Sequence, residues 1–127
     1  MPFDQLHHVA IICSDYPRAR YFYTEVLGLP IMAETYRAER DSWKLDLRLG
    51  NGQLELFSFP DAPPRPSYPE ACGLRHLAFA VPDLQASIAE LAAHGVICEA
   101  IRVDALTGKR FTFFSDPEGM PLELYER

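Results

Sequence analysis

Residues 7–15 read HHVAIICSD and residues 75–83 read RHLAFAVPD, and the match between them decides the fold. In each stretch a histidine, His8 or His76, stands seven positions before an aspartate, Asp15 or Asp83, and the two histidines are 68 positions apart. Further along, Leu54-Glu55-Leu56-Phe57 recurs as Leu122-Glu123-Leu124-Tyr125, so Glu55 and Glu123 are also 68 apart. One offset aligns two histidines with two glutamates, which implies a duplicated unit whose copies each supply one imidazole and one carboxylate. Two imidazoles and two carboxylates suit a divalent metal ion.

Working outward, each copy reads as βαβββ. Residues 7–13 form a strand, Ser14-Asp15 signals a helix N-cap, and Pro17 falls in the first turn, where a missing N–H does no harm. The helix runs to about Leu27 and stops at Gly28. In the second copy residues 75–81 lead through Pro82-Asp83 into a helix with Leu84, Ile88, Leu91 and Ala92 at helical spacing, closed by Gly95. Extended runs follow at Ile31–Tyr36, Trp43–Leu49 and Gln53–Phe59, and then at Ile97–Val103, Lys109–Phe114 and Pro121–Tyr125. The turns Gly50-Asn51-Gly52 and Asp116-Pro117-Glu118-Gly119 precede the last strand of each copy. The fold class is α+β, with module 1–59, a connector 60–73 and module 74–127 in a single domain. The connector holds five of the chain's 11 prolines and reads as a semi-rigid linker, with Tyr68 and Cys72 as exposed candidates at a cavity rim.

Strand alternation tests whether the four repeated residues can share a site. His8 shares a face with Ala10 and Ile12, His76 with Ala78 and Ala80, Glu55 with Phe57 and Phe59, and Glu123 with Tyr125. Small residues beside the histidines and aromatics beyond the glutamates describe a concave, partly apolar surface. The opposite faces, Val9, Ile11 and Cys13 in one strand and Leu77, Phe79 and Val81 in the other, read as core. His7 falls on the wrong face and reads as structural. His94 sits at a helix end, where a donor suits the terminal carbonyls. A lone buried carboxylate is costly without a compensating cation, so two at matched offsets favour a metal over a purely structural reading.

Composition removes other classes. A net charge of −6, with 12 basic against 18 acidic residues, argues against nucleic-acid binding, and no apolar run approaches a bilayer span. MPFDQLHH has neither the basic segment nor the apolar core of a secretory signal, so the expected location is the cytoplasm. Cys13, Cys72 and Cys98 lack paired metal-ligand spacing and read as reduced thiols.

HHVAIICSD running into FYTEVLGL, and FTFFSDPEGMPLELYE near the end, resemble the vicinal oxygen chelate superfamily. That group includes glyoxalase I, methylmalonyl-CoA epimerase, extradiol dioxygenases and the fosfomycin- and bleomycin-resistance proteins. SWKLDL, EACGLRHLAF and IRVDALTGKRFTFF look most like its small bacterial glyoxalase-like metal-binding subgroup. The resemblance covers essentially the whole chain. It implies two βαβββ modules cupped as a mixed sheet around one divalent metal (Zn, Ni, Mn, Fe or Co), with ligands His8, Glu55, His76 and Glu123. It also implies a homodimer, in which His8 and Glu55 of one chain meet His76 and Glu123 of the other. By analogy with bacterial glyoxalase I, Glu123 is base and ligand and Glu55 is ligand or second base, so both are candidate catalytic residues.

One departure bears on the substrate. Glyoxalase I commonly places an arginine four residues after the first histidine and an asparagine four after the first glutamate to hold glutathione; here those positions are Ile12 and Phe59. Arg37, Arg40, Lys44, Arg75, Lys109 and Arg110 are other cations able to grip an anion, though each alone reads first as solvated surface. The resulting expectation is a metal-dependent lyase or isomerase that moves a proton on a small oxygenated, metal-chelating substrate. The alternatives are a dioxygenase or thiol transferase of the same superfamily, or a non-catalytic antibiotic binder.

Overall fold

In the computed structural model, which describes residues 1–127, each half of the chain folds a four-stranded mixed sheet of its own. The division falls between Met1–Pro63 and Pro64–Arg127. The first unit contains β1 (His8–Cys13), α1 (Tyr16–Tyr21), β2 (Ile31–Arg37), β3 (Ser42–Leu49) and β4 (Gly52–Ser58), in sheet order β1-β4-β3-β2. The second contains β5 (Leu77–Val81), α2 (Leu84–Ala93), β6 (Arg102–Val103), β7 (Arg110–Ser115) and β8 (Pro121–Glu126), in order β5-β8-β7-β6. In both units the first strand pairs parallel with the last, and the other pairings are antiparallel. This is an α+β fold built from two βαβββ repeats.

Both helices start where the repeated aspartates place them. The Asp15 carboxylate accepts the Arg18 amide at 3.2 Å and the Asp83 carboxylate accepts the Ala86 amide at 3.0 Å, satisfying amides that a helix start leaves free. The helices pack on the sheet faces opposite the histidines. In the first unit that face holds Leu45, Leu47, Leu54 and Leu56, none more than 1% exposed, each contributing about 1.5–3 kcal/mol of apolar burial. Tyr16 of α1 stacks on Trp43 at 5.4 Å and hydrogen-bonds Glu34, which also receives Arg20 at 2.8 Å, tying α1 to β2. In α2, Leu84 and Leu91 are buried and Ile88 is half-buried, whereas Ala92 faces solvent.

Three elements depart from the sequence reading. The first helix does not stay α-helical to Leu27: Phe22–Val26 widen into a π turn, with the Leu27 amide donating to the Phe22 carbonyl at 2.9 Å. There the Thr24 hydroxyl donates to the Arg20 carbonyl at 2.7 Å, competing with the helix for that acceptor. The expected strand over Ile97–Val103 shrinks to Arg102–Val103. Before it, the Glu99 amide donates to the Phe113 carbonyl at 2.9 Å, and the hydroxyl of the fully buried Thr112 donates to the Glu99 carbonyl at 2.7 Å. A short 3₁₀ turn, Ala38–Arg40, links β2 to β3 and has no counterpart in the sequence reading.

The turns before β4 and β8 set the register of the glutamates. Asp116, itself buried, accepts the amides of Glu118 and Met120 at 2.8 and 2.9 Å, and Gly119 takes φ +81°, a conformation that favours glycine. The tight return pairs Ser115 with Pro121 and so places Glu123 opposite Phe113. In the first unit Leu49 pairs with Gly52, which places Glu55 opposite Asp46.

Candidate metal centre

Each unit brings one histidine and one glutamate together on the sheet face turned away from its helix. His8 on β1 and Glu55 on β4 approach to 3.6 Å (Nδ1 to Oε2), and His76 just before β5 and Glu123 on β8 to 3.1 Å (Nε2 to Oε1). Two atoms bound to one ion at ~2.1 Å lie ~3.0 Å apart across an octahedral edge and ~3.4 Å across a tetrahedral one. Both separations are therefore close to those of paired ligands on a shared ion. The carboxylates are buried, Glu55 at 7% exposure and Glu123 at 8%, while the histidines remain partly open, as entry of an ion requires. In chemistry and spacing the donors fit a divalent metal. The chain gathers no group of three or more such side chains; each unit brings together one His–Glu pair.

Around these pairs the two units differ. Gln53 donates to Glu55 Oε2 at 2.8 Å, and the Lys44 ammonium lies 3.8 Å from Glu55 Oε1 while bonding Asp46 at 2.8 and 3.0 Å. On β7 the residues opposite Glu123 and Tyr125 are Phe113 and Phe111. Phe113 meets the His76 ring edge-on at 4.9 Å, and Phe111 stacks on Tyr125 at 6.2 Å. The Tyr125 hydroxyl bonds Thr107 and donates to Asp104 at 2.9 Å. The Leu106 amide, together with that tyrosine, holds the Asp104 carboxyl below its ordinary range. Both faces combine rings with cations: the Lys44 ammonium lies 5.9 Å from the Phe57 ring centroid on the first, and the Arg102 guanidinium lies 5.1 and 5.3 Å from those of Phe111 and Phe113 on the second.

Several residue readings change. The carboxylates expected to be unpaired have partners: Glu55 has Gln53 and Lys44, and Glu123 has His76. His7 is not a core residue but precedes β1, exposed, with its Nδ1 2.9 Å from that of His8 and the two rings edge-on at 5.2 Å. Strand parity does not apply to a residue outside the strand. Cys13 is buried as expected, Cys72 and Tyr68 are exposed, and no disulfide joins the three cysteines, with burial pushing the Cys98 thiol up. His94 caps α2, its amide donating to the Leu91 carbonyl at 3.0 Å. Gln53 was the missed neighbour. Its parity with Glu55 was visible in the sequence, but hydrogen bonding between the two was not.

The chain belongs to the glyoxalase/bleomycin resistance protein/dioxygenase superfamily, whose family model matches residues 5–124. It is 61% identical over 125 residues to the uncharacterized protein YaeR of Escherichia coli (strain K12), covering 97% of this chain and 96% of that one. The crystal structure of a glyoxalase family protein from Enterococcus faecalis superposes with a TM-score of 0.92 at 51% identity, covering 99% of this chain and all of that one. A 2-epi-5-epi-valiolone epimerase from an Actinomyces species is 33% identical over 141 residues, covering 94% of this chain and 77% of that enzyme. No helix is long and apolar enough to cross a membrane.

Proposed function

We propose that the protein is a divalent-metal-dependent isomerase or lyase that moves a proton on a carbon next to a carbonyl, in a small substrate with two neighbouring oxygens. The observation that carries this reading is the pair of buried glutamates, each at ligand spacing from a histidine at the same repeat offset. His8, Glu55, His76 and Glu123 are the ligands, and the complete set is assembled in a homodimer from the His8–Glu55 pair of one chain and the His76–Glu123 pair of its partner. A divalent ion held by these residues would polarise the substrate carbonyl and acidify the adjacent C–H.

The two glutamates then divide the work. Glu55 is fixed by the Gln53 amide and by the nearby Lys44, so it holds its place as a ligand. Glu123 pairs with His76 and lies opposite Phe113 rather than beside an amide donor such as Gln53, so its carboxylate can swing to take a proton and return it to the neighbouring carbon. The epimerase relative supports this class, since epimerisation inverts a stereocentre, and proton removal and return beside a carbonyl is a direct route to that outcome.

Elemental analysis of protein prepared without chelators, then resupplied with zinc, nickel, manganese, iron or cobalt, should give one ion per pair of His–Glu motifs, with His76→Ala losing it. Deuterium exchange followed by NMR over a panel of α-hydroxy ketones and 2-oxo acids should show metal-dependent uptake next to the carbonyl, absent in Glu123→Gln. A wild type that takes up none of these metals overturns the site. Metal uptake without exchange into any panel member overturns the proton-transfer reading.

A further inference from the structure

Of the six cations that could grip an anion, Arg37 stands apart. Lys44 is paired with Asp46, Arg75 with Glu70 and Arg110 with Glu126, each within 3.1 Å, and Arg40 and Lys109 are exposed or at the rim of short turns. Arg37, at the end of β2, has no carboxylate partner. Its guanidinium lies 4.8 Å from the Phe57 ring centroid and 5.9 Å from that of Phe59. Nη2 donates to the buried Ser42 hydroxyl at 2.8 Å, and Nε is buried with no hydrogen-bond partner.

Strand pairing places this guanidinium on the face that carries Glu55. Arg37 pairs with Ser42 on β3, Lys44 pairs with Phe57 and Asp46 with Glu55, so all belong to one side of the sheet. Phe57 is two residues from Glu55 on β4, ~7 Å along the strand. A buried N–H donor without an acceptor is costly, and a guanidinium offers its donors in a planar fork that matches an oxyanion. The Phe57 and Phe59 rings and the Ser42 hydroxyl hold that fork in place before anything binds.

We propose that Arg37 binds an anionic group of the substrate, a carboxylate or a phosphate ester, a few carbon atoms from the two oxygens that face the metal. Phe59 accounts for the loss of the glutathione-type amide at its position: it forms part of the platform under Arg37. This assignment rests on the metal reading for the location of the chelating oxygens, but not for the anion contact itself.

The test uses two probes of equal chain length on metal-loaded protein by calorimetry: 2-oxoadipate, which has a distal carboxylate, and 2-oxohexanoate, which lacks it. Wild type should bind the first about tenfold tighter or more, as expected for a charge-assisted contact, and Arg37→Met, which keeps the packing on both rings, should bind the two equally. In metal-free protein the Arg37 Nε–Hε NMR resonance should shift with glutarate or with inorganic phosphate, and the probe effective at lower concentration identifies the anion class. This measurement needs no variant, so it stands if Arg37→Met fails to fold. If the resonance shifts but no metal binds, the anion site survives and the metal reading fails. Equal affinities in wild type, or a resonance that neither anion moves, overturn the role of Arg37.

Discussion

Replacing Glu123 with glutamine should separate a metal ligand from a structural carboxylate, because the two roles predict opposite effects on stability. Glu123 is 8% exposed, lies opposite Phe113 and pairs with His76, with no Lys or Arg in an ion pair with it, so in metal-free protein its charge is poorly compensated. The amide is isosteric and keeps an acceptor for His76. Metal-free Glu123→Gln should therefore melt at the same temperature as wild type or a few degrees higher. Metal reverses the order. An ion at a hundred times its dissociation constant stabilises the wild type by ~2.7 kcal/mol. For a chain of this length 1 kcal/mol moves the melting temperature by about 3–6 °C, so the wild type should gain about 8–16 °C and the variant close to none. Glu55→Gln gives the contrast: Lys44 loses a charge partner 3.8 Å away while keeping Asp46, so the metal-free variant should lose less than about 1 kcal/mol. Thermal melts of chelator-treated protein, with and without each metal, measure all of this. A Glu123→Gln variant that keeps the full metal-induced shift, or one that is several kcal/mol less stable without metal, would show that Glu123 is not a ligand.

Three further outcomes are expected. Light scattering of metal-loaded protein at micromolar concentration should show a dimer; monomer alone with metal bound rules out a site shared between chains. Turnover of the methylglyoxal–glutathione hemithioacetal should be weak with nickel, cobalt, manganese or zinc, since Ile12 and Phe59 are apolar; kcat/KM on the order of 10⁴ M⁻¹s⁻¹ or more would refute that reading. Hydrogen bonds from Arg20 and Tyr16 hold the Glu34 carboxyl below its ordinary value of 4.5, so the folded chain binds that proton more weakly than the unfolded one. The stabilisation is then complete above 4.5 and is lost as pH falls through the lower folded value. Glu34→Gln should cost about 0.5–1 kcal/mol at pH 7 and flatten the fall in stability towards pH 3 in urea melts, an unchanged pH profile counting against the network.

The parts of this molecule that were legible in sequence are those fixed within one strand or one turn. Alternation alone puts His8 with Ala10, and Glu55 with Phe57, and the capping aspartates announce the helices from a few neighbouring residues. What surrounds the candidate ligands depends instead on pairing between strands. Lys44 and Asp46 reach Glu55 only because β3 returns at the Leu49–Gly52 turn in that register, and Phe113 faces Glu123 only because the Asp116 turn closes on Pro121. At both the shortened β6 and the π turn a threonine hydroxyl bonds a backbone carbonyl, a contact that no hydrophobic period records. The repeat therefore identifies what the two halves share, whereas strand pairing reveals how they differ. At the candidate ligands the difference is chemical: Gln53 and Lys44 stand beside Glu55, and Phe113 stands opposite Glu123. Two interchangeable glutamates would give no reason to assign one the proton and the other the fixed position. A glutamate held by Gln53 opposite Asp46, and another paired with His76 opposite Phe113, give that reason without any change to the ligands themselves.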